Sequence, residues 1–246
     1  LVRPIDIYPK YRKKTTDTPG AEDPFEQTFI EILTDEGVSG IFGPVDEYIA
    51  PTVPVIERSL KPLIIGEDPF AIEKIWDMMY RSQVHGRKGE VMLAISAVDC
   101  ALWDLIGKAK GEPVVKILGG PTRERIPAYA SMLGCSLKPK KVAERCQEYV
   151  EKGFTAMKWF FRHGPGSGVS GMKKNIELVR TIRDSVGYDI EIMLDCWMSW
   201  SVNYTMKMAK KLEKYEPAWL EEPLMPDNID GYAFLSKNLE IPIAGG

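Results

Sequence analysis

Cysteine is thinly spread in this chain of 246 residues: Cys100, Cys135, Cys146 and Cys196 form no CxxC pair and no disulfide-like spacing. Reduced thiols in a core, and a cytoplasmic location, are the expectation. Charge of one sign is also missing. Thirty-two lysines and arginines face 35 aspartates and glutamates, and a net charge of −3 leaves no footprint for nucleic acid or a membrane surface. No apolar run reaches the roughly 18 residues of a membrane span. The chain opens on Leu1 rather than methionine, and it contains no phosphate-cradling GxxxxGK[ST]. What is present is a 44% hydrophobic composition, enough to bury a sizeable core. It suits one large domain, or a small domain plus most of a larger one.

Two styles of sequence follow one another. From Gln27 to Leu33 apolar and polar residues alternate and "TDEG" follows, the pattern of a strand and a turn. Helical stretches come next, over about 47–60 and then "DPFAIEKIWDMMYRS", where Asp68 is placed to cap and Pro69 to open the first turn. "GEVMLAISAVDCALWDLIGKAKGEP" is apolar almost all round, which predicts a buried helix stopped by Gly111 and Pro113. After "LGGPTRER" the rhythm becomes strict. "RIPAYAS", "FTAMKWF", "IEIMLD", "PAWLEE" and "IPIAGG" read as strands, and 138–152, 171–186, 201–215 and 228–238 read as the helices between them. Such βα repetition requires a parallel sheet, either an open doubly wound sheet or a (β/α)8-type barrel. No GxGxxG follows the first strand, which weighs against the dinucleotide-binding form of the open sheet.

Charge falls at particular places in these units. Lys158 stands at the end of the second strand, Asp195 at the end of the third, and Glu221 and Glu222 at the end of the fourth. The carboxyl ends of the strands are where barrel enzymes build their sites. Neighbouring strands lie roughly 4.8 Å apart, so Asp195 and Glu221 would converge. Two carboxylates in an apolar setting repel each other unless a cation joins them, and all-oxygen ligation favours Mg²⁺. Taken singly, each has a plainer use: Asp195 as the cap of the next helix, Glu221 as a solvated rim residue, Lys158 as a structural bridge. Three on three consecutive strands favour a site.

The helix "AISAVDCALWDLIGKAKGEPVVKILGG", the strand "MLDCW" and the segment "WLEEPLMPD" closely resemble the mandelate racemase branch of the enolase superfamily, over essentially the whole chain. "PKYR" at residues 9–12 and "MLDCWMSWSVNY" are most similar to its L-rhamnonate dehydratase group. The resemblance implies an α+β capping domain (1–123) followed by an α/β barrel of (β/α)7β type, a TIM-like barrel of which 124–246 carries about the first five strands. It also implies a Mg²⁺ ion held by Asp195, Glu221 and a glutamate expected just after the glycine pair of "IAGG". A His–Asp pair is expected on later strands, so the chain is expected to be part of a longer polypeptide, because an unclosed barrel exposes a strand edge and an apolar interior.

The implied reaction removes the proton next to a carboxylate, forms a metal-stabilised enediolate and expels the 3-hydroxyl, giving a 2-keto-3-deoxy acid. A small acid-sugar substrate and a homo-oligomer are the implied partners. One departure narrows this. Relatives that work from this face carry Lys-x-Lys on the second strand, whereas this chain reads Lys158-Trp159-Phe160. A two-base racemase is thereby disfavoured, and Lys158 is left to hold the substrate carboxylate. His163, on the glycine-rich loop "FFRHGPGSG", is a candidate acid for the leaving hydroxyl. Arg162 beside it, Trp197 two residues after Asp195, and Arg12 in the basic cluster Lys10, Arg12, Lys13 and Lys14 are candidates for substrate binding. His85 is expected in a turn. A racemase or cycloisomerase, or a silent relative that binds a metabolite, would use the same scaffold.

Overall fold

A computed structural model of the protein describes residues 28–45, 52–86 and 88–245. These fall into two compact units that divide between Arg125 and Ile126. In the first, the alternating residues form strand β1 (Ile30–Leu33), and the turn after it leads into a second strand, β2 (Ser39–Phe42), antiparallel to β1 with Ile30 opposite Phe42. The second strand is not evident from its residues because Gly40 breaks the pattern. The structure gives that glycine a use: a Cβ there would lie 2.0 Å from the Ala101 carbonyl oxygen, so the strand rides directly on a helix.

The stretch expected over 47–60 is helical from Thr52 and runs on to Ile64, with one π turn over Ile56–Leu60. The next helix, α1 (Ile72–Ser82), begins later than the Asp68–Pro69 signal suggests. Asp68 instead accepts the Phe70 N–H at 2.9 Å, closing a tight turn, and Ala71 takes the N-cap position. α2 (Glu90–Lys110) ends as expected at Gly111, in the left-handed conformation at φ 64°. Its buried face, including Ile95, Val98 and Leu102, packs with Leu60, Ile75 and Met79 into the core of this unit. His85 lies in the turn between α1 and α2.

The second unit alternates without exception: β3 (Ala130–Ser131), α3 (Pro139–Glu151), β4 (Ala156–Phe160), α4 (Gly168–Val186), β5 (Glu191–Asp195), α5 (Val202–Leu212), β6 (Trp219–Glu221), α6 (Ile229–Asn238) and β7 (Ile243–Ala244). All strand pairs are parallel and the spatial order is β3-β4-β5-β6-β7, the order of the chain. A doubly wound sheet reverses its order at a switch point, so this sheet is a barrel segment.

Alternation along the strands sorts the side chains into two faces. Met157, Trp159, Ile192, Leu194 and Leu220 join Val142, Leu178, Ile182, Met208 and Leu212 of the helices in one buried cluster. The other face, the barrel interior, receives Lys158 and Phe160, Met193 and Asp195, Trp219 and Glu221. Beneath the helices, Arg183 of α4 is 4% exposed and spans the ends of three segments. Its guanidinium donates to the carbonyls of Tyr215 (2.9 and 2.8 Å), Ile190 (2.8 Å), Gly187 (2.5 Å) and Glu216 (3.1 Å). The fork geometry is specific to arginine.

Arg183→Lys is expected to lower the unfolding free energy by about 2–3 kcal/mol, because one ammonium leaves some of these buried carbonyls unpaired. Urea denaturation of the variant against wild type measures it.

Candidate metal and substrate site

β5 ends on Asp195 and β6 on Glu221, and the register sets these two residues directly opposite each other, with Phe160 of β4 opposite Asp195. Lys158 starts one inward position lower on β4, and its long side chain climbs to the pair. Its ammonium donates to Glu221 Oε1 and stands 3.4 Å from Asp195 Oδ2. The far oxygen of each carboxylate is held as well: Asp195 Oδ1 accepts the backbone N–H of Trp197 at 2.9 Å, and Glu221 Oε2 accepts the indole N–H of Trp219 at 3.0 Å. Tyr129, just before β3, lies under the ammonium with its ring centre 5.6 Å away and meets Trp219 edge to face at 6.1 Å.

Asp195 is 5% exposed. Burial is the main force pushing its carboxyl above the ordinary range, and the negative charge of Glu221 adds to it, against the Trp197 N–H and Lys158. Burial opposes the charge of Lys158 too, yet the bond to Glu221 and the charges of Asp195 and Glu221 outweigh it and lift the ammonium to about 12. Glu222 is pushed up by burial and then by the same two carboxylates. One ammonium therefore serves three carboxylates, which leaves a local surplus of negative charge. A divalent cation with hard oxygen preferences fits that surplus. Among the described residues no three His, Cys, Asp or Glu side chains gather as a metal group, so Asp195 and Glu221 fit the ion as two of its ligands.

The helix-cap use of Asp195 is excluded, because the N-cap of α5 is Ser201, whose hydroxyl accepts the Tyr204 N–H. Trp197 differs from expectation. The strand stops at Asp195 and Trp197 turns at φ 49°, so strand alternation does not extend to it; its backbone N–H makes the contact to Asp195. His163 sits beside the start of α4, where its Nδ1 lies 3.4 Å from Ser167 Oγ and its Cβ faces Gly171. Its carbonyl is fixed by Asn175 and Trp200. Arg162 sets its guanidinium 5.8 Å from the Phe160 ring, and with His163 it lines a cavity of about 350 Å³ between α3 and α4. Arg12 and its basic neighbours lie outside the described residues. Tyr129 and Trp219 were not evident as site residues; the signal for Trp219 is its position two residues before Glu221, on the same strand face.

Architecture and site together define a barrel protein with an acidic, cation-attracting cluster at its strand ends. Family models agree on which kind: residues 22–119 match the mandelate racemase / muconate lactonizing enzyme N-terminal domain, and 141–246 match the enolase C-terminal domain-like family. The chain belongs to the mandelate racemase / muconate lactonizing enzyme branch of the enolase superfamily. It is similar to an L-rhamnonate dehydratase of Saccharopolyspora erythraea, 35% identical over 240 residues, which are 97% of this chain and 58% of the relative. The L-rhamnonate dehydratase structure from Gibberella zeae superimposes with a TM-score of 0.79 at 31% identity, covering 92% of this chain and 55% of that one. The Gibberella zeae enzyme complexed with Mg gives 0.76 at 33% identity, over 89% and 51%. The chain thus spans little more than half the length of these relatives. No described helix is long and apolar enough to cross a membrane.

The raised carboxyl of Asp195 sets a pH dependence. The folded state keeps this proton to higher pH than the unfolded chain does, so its contribution to stability is full below about pH 4 and is lost as pH rises through the folded value. Asp195→Asn removes that loss. With a chelator present at pH 7, the variant is expected to melt above wild type, and the gain should vanish near pH 3. Thermal unfolding monitored by circular dichroism at both pH values checks this.

Proposed function

We propose that this chain belongs to a Mg²⁺-dependent dehydratase of a sugar acid, an L-rhamnonate-like aldonate. Residues 1–123 would serve as the capping domain and 124–246 as the first part of the barrel. The observation that carries the proposal is the pairing of Asp195 and Glu221 in register, with a charged lysine between them. The similarity to L-rhamnonate dehydratases supports the substrate class.

Mg²⁺, when bound, supplies fixed positive charge beside the substrate carboxylate, where negative charge grows as the adjacent proton leaves. Asp195 and Glu221 are its holders in this chain. Lys158, charged and already aimed at the same point, is placed to take a substrate carboxylate oxygen, an interaction that strengthens as charge develops. It is not a free base, since both carboxylates hold its proton. Phe160 faces the same interior and offers no proton acceptor, which separates this site from a two-base racemase. The base is assigned to the His–Asp pair expected beyond Gly246. Loss of the α-proton to that base and of the 3-hydroxyl, protonated as it leaves, gives water and an enol, which becomes the 2-keto-3-deoxy acid. His163 is the candidate for the leaving-group proton, and Arg12, Arg162 and Trp197 for contacts to the sugar hydroxyls.

Full-length protein with Mg²⁺ is expected to convert one or a few acids from a panel of aldonic and aldaric acids, L-rhamnonate included, to 2-keto-3-deoxy products. Asp195→Asn and Glu221→Gln should each lower kcat/KM at least about 10³-fold, and Lys158→Met by about 10²–10³-fold. Absence of product from every acid, in protein shown to bind Mg²⁺, would remove the dehydratase assignment.

A further inference from the structure

The two carboxylates are held in matching ways. Each gives one oxygen to Lys158 and the other to an N–H of a tryptophan. For Asp195 that donor is the Trp197 backbone, which any residue at 197 other than proline would supply. For Glu221 it is the Trp219 indole, 3.0 Å from Oε2, which only this side chain supplies. Trp219 precedes Glu221 by two residues on β6, so both face the barrel interior, and the Tyr129 ring meets the indole at a steep angle of 78° with centres 6.1 Å apart. A glutamate has three side-chain torsions and turns freely unless something fixes its plane. Trp219 has two, and its ring is braced.

We propose that Trp219 is a positioning residue for Glu221, setting the plane of its carboxylate and thereby the strength with which it ligates a divalent cation. The proposal rests on the reading of Asp195 and Glu221 as metal ligands. A buried indole needs some acceptor in any case, and a plain packing role would be satisfied by that alone. What distinguishes the two is metal affinity: groups that orient a metal ligand typically alter affinity 10–100-fold when removed.

The test is Mg²⁺ titration of the full-length protein by calorimetry, wild type against Trp219→Phe, which keeps an aromatic ring and removes the N–H. The expected result is a Kd raised 10- to 100-fold, with far-ultraviolet circular dichroism unchanged. An unchanged Kd in a folded variant would overturn the proposal while leaving the metal reading intact. Wild type that binds no Mg²⁺ would overturn both. A measurement without mutation at 219 guards against a variant that does not fold: in ¹⁵N-tryptophan-labelled protein, one indole N–H resonance should lie downfield, bonded to a carboxylate. It should move on addition of Mg²⁺ and in Glu221→Gln. If no indole resonance responds to both changes, the proposal fails.

Discussion

Repulsion between two carboxylates that share a water-poor strand end is the constraint around which this barrel segment is built. Asp195 and Glu221 are placed opposite each other by the parallel register of β5 and β6, and neither can turn away without leaving the interior face. The cost is offset locally by Lys158 and by one N–H donor to each carboxylate. The offset is incomplete, and burial still raises the Asp195 carboxyl. Sites of this kind trade stability for a readiness to accept positive charge.

The rest of the unit keeps that register from slipping. A shift of one residue would turn Met157, Trp159, Ile192 and Leu194 into the interior and bring the charges under the helices. The apolar cluster on the helix side therefore fixes where the charges stand, and Arg183 ties the opposite ends of the same segments through their carbonyls. Packing and chemistry are separated by strand alternation: one face stabilises, the other holds the strained charge.

Much of this was legible in the residues. The βα rhythm after residue 124 located the helices and the later strands of the second unit to within a few residues, since short apolar runs bounded by amphipathic helices have few other uses; the first strand, read over 125–131, is only Ala130–Ser131. Lys158, Asp195 and Glu221 were visible because a charge closing an apolar strand is conspicuous. What escaped depended on distant partners. β2 was hidden by Gly40, whose meaning lies in a contact with Ala101, 61 positions away. Tyr129 and Trp219 look like ordinary core aromatics until the sheet brings them under the charges. Strand alternation does not reach Trp197, because β5 ends at Asp195 and the backbone takes positive φ two residues on. The choice between barrel and open sheet could not come from spacing alone and was decided by strand order.

The loops above β5 and β6 are laced together. Trp197, Met198 and Glu222, none of them glycine, have positive φ; the Met198 N–H donates to the Glu222 carbonyl at 2.6 Å, and the Trp200 N–H to that of Pro223 at 3.0 Å. Two loops bonded in this way cannot diversify independently, because an insertion in one strands the hydrogen-bonding groups of the other. The lacing reaches the loop after β4 as well, since the Trp200 indole donates to the His163 carbonyl at 3.1 Å, so the three loops over these strand ends are constrained to change together.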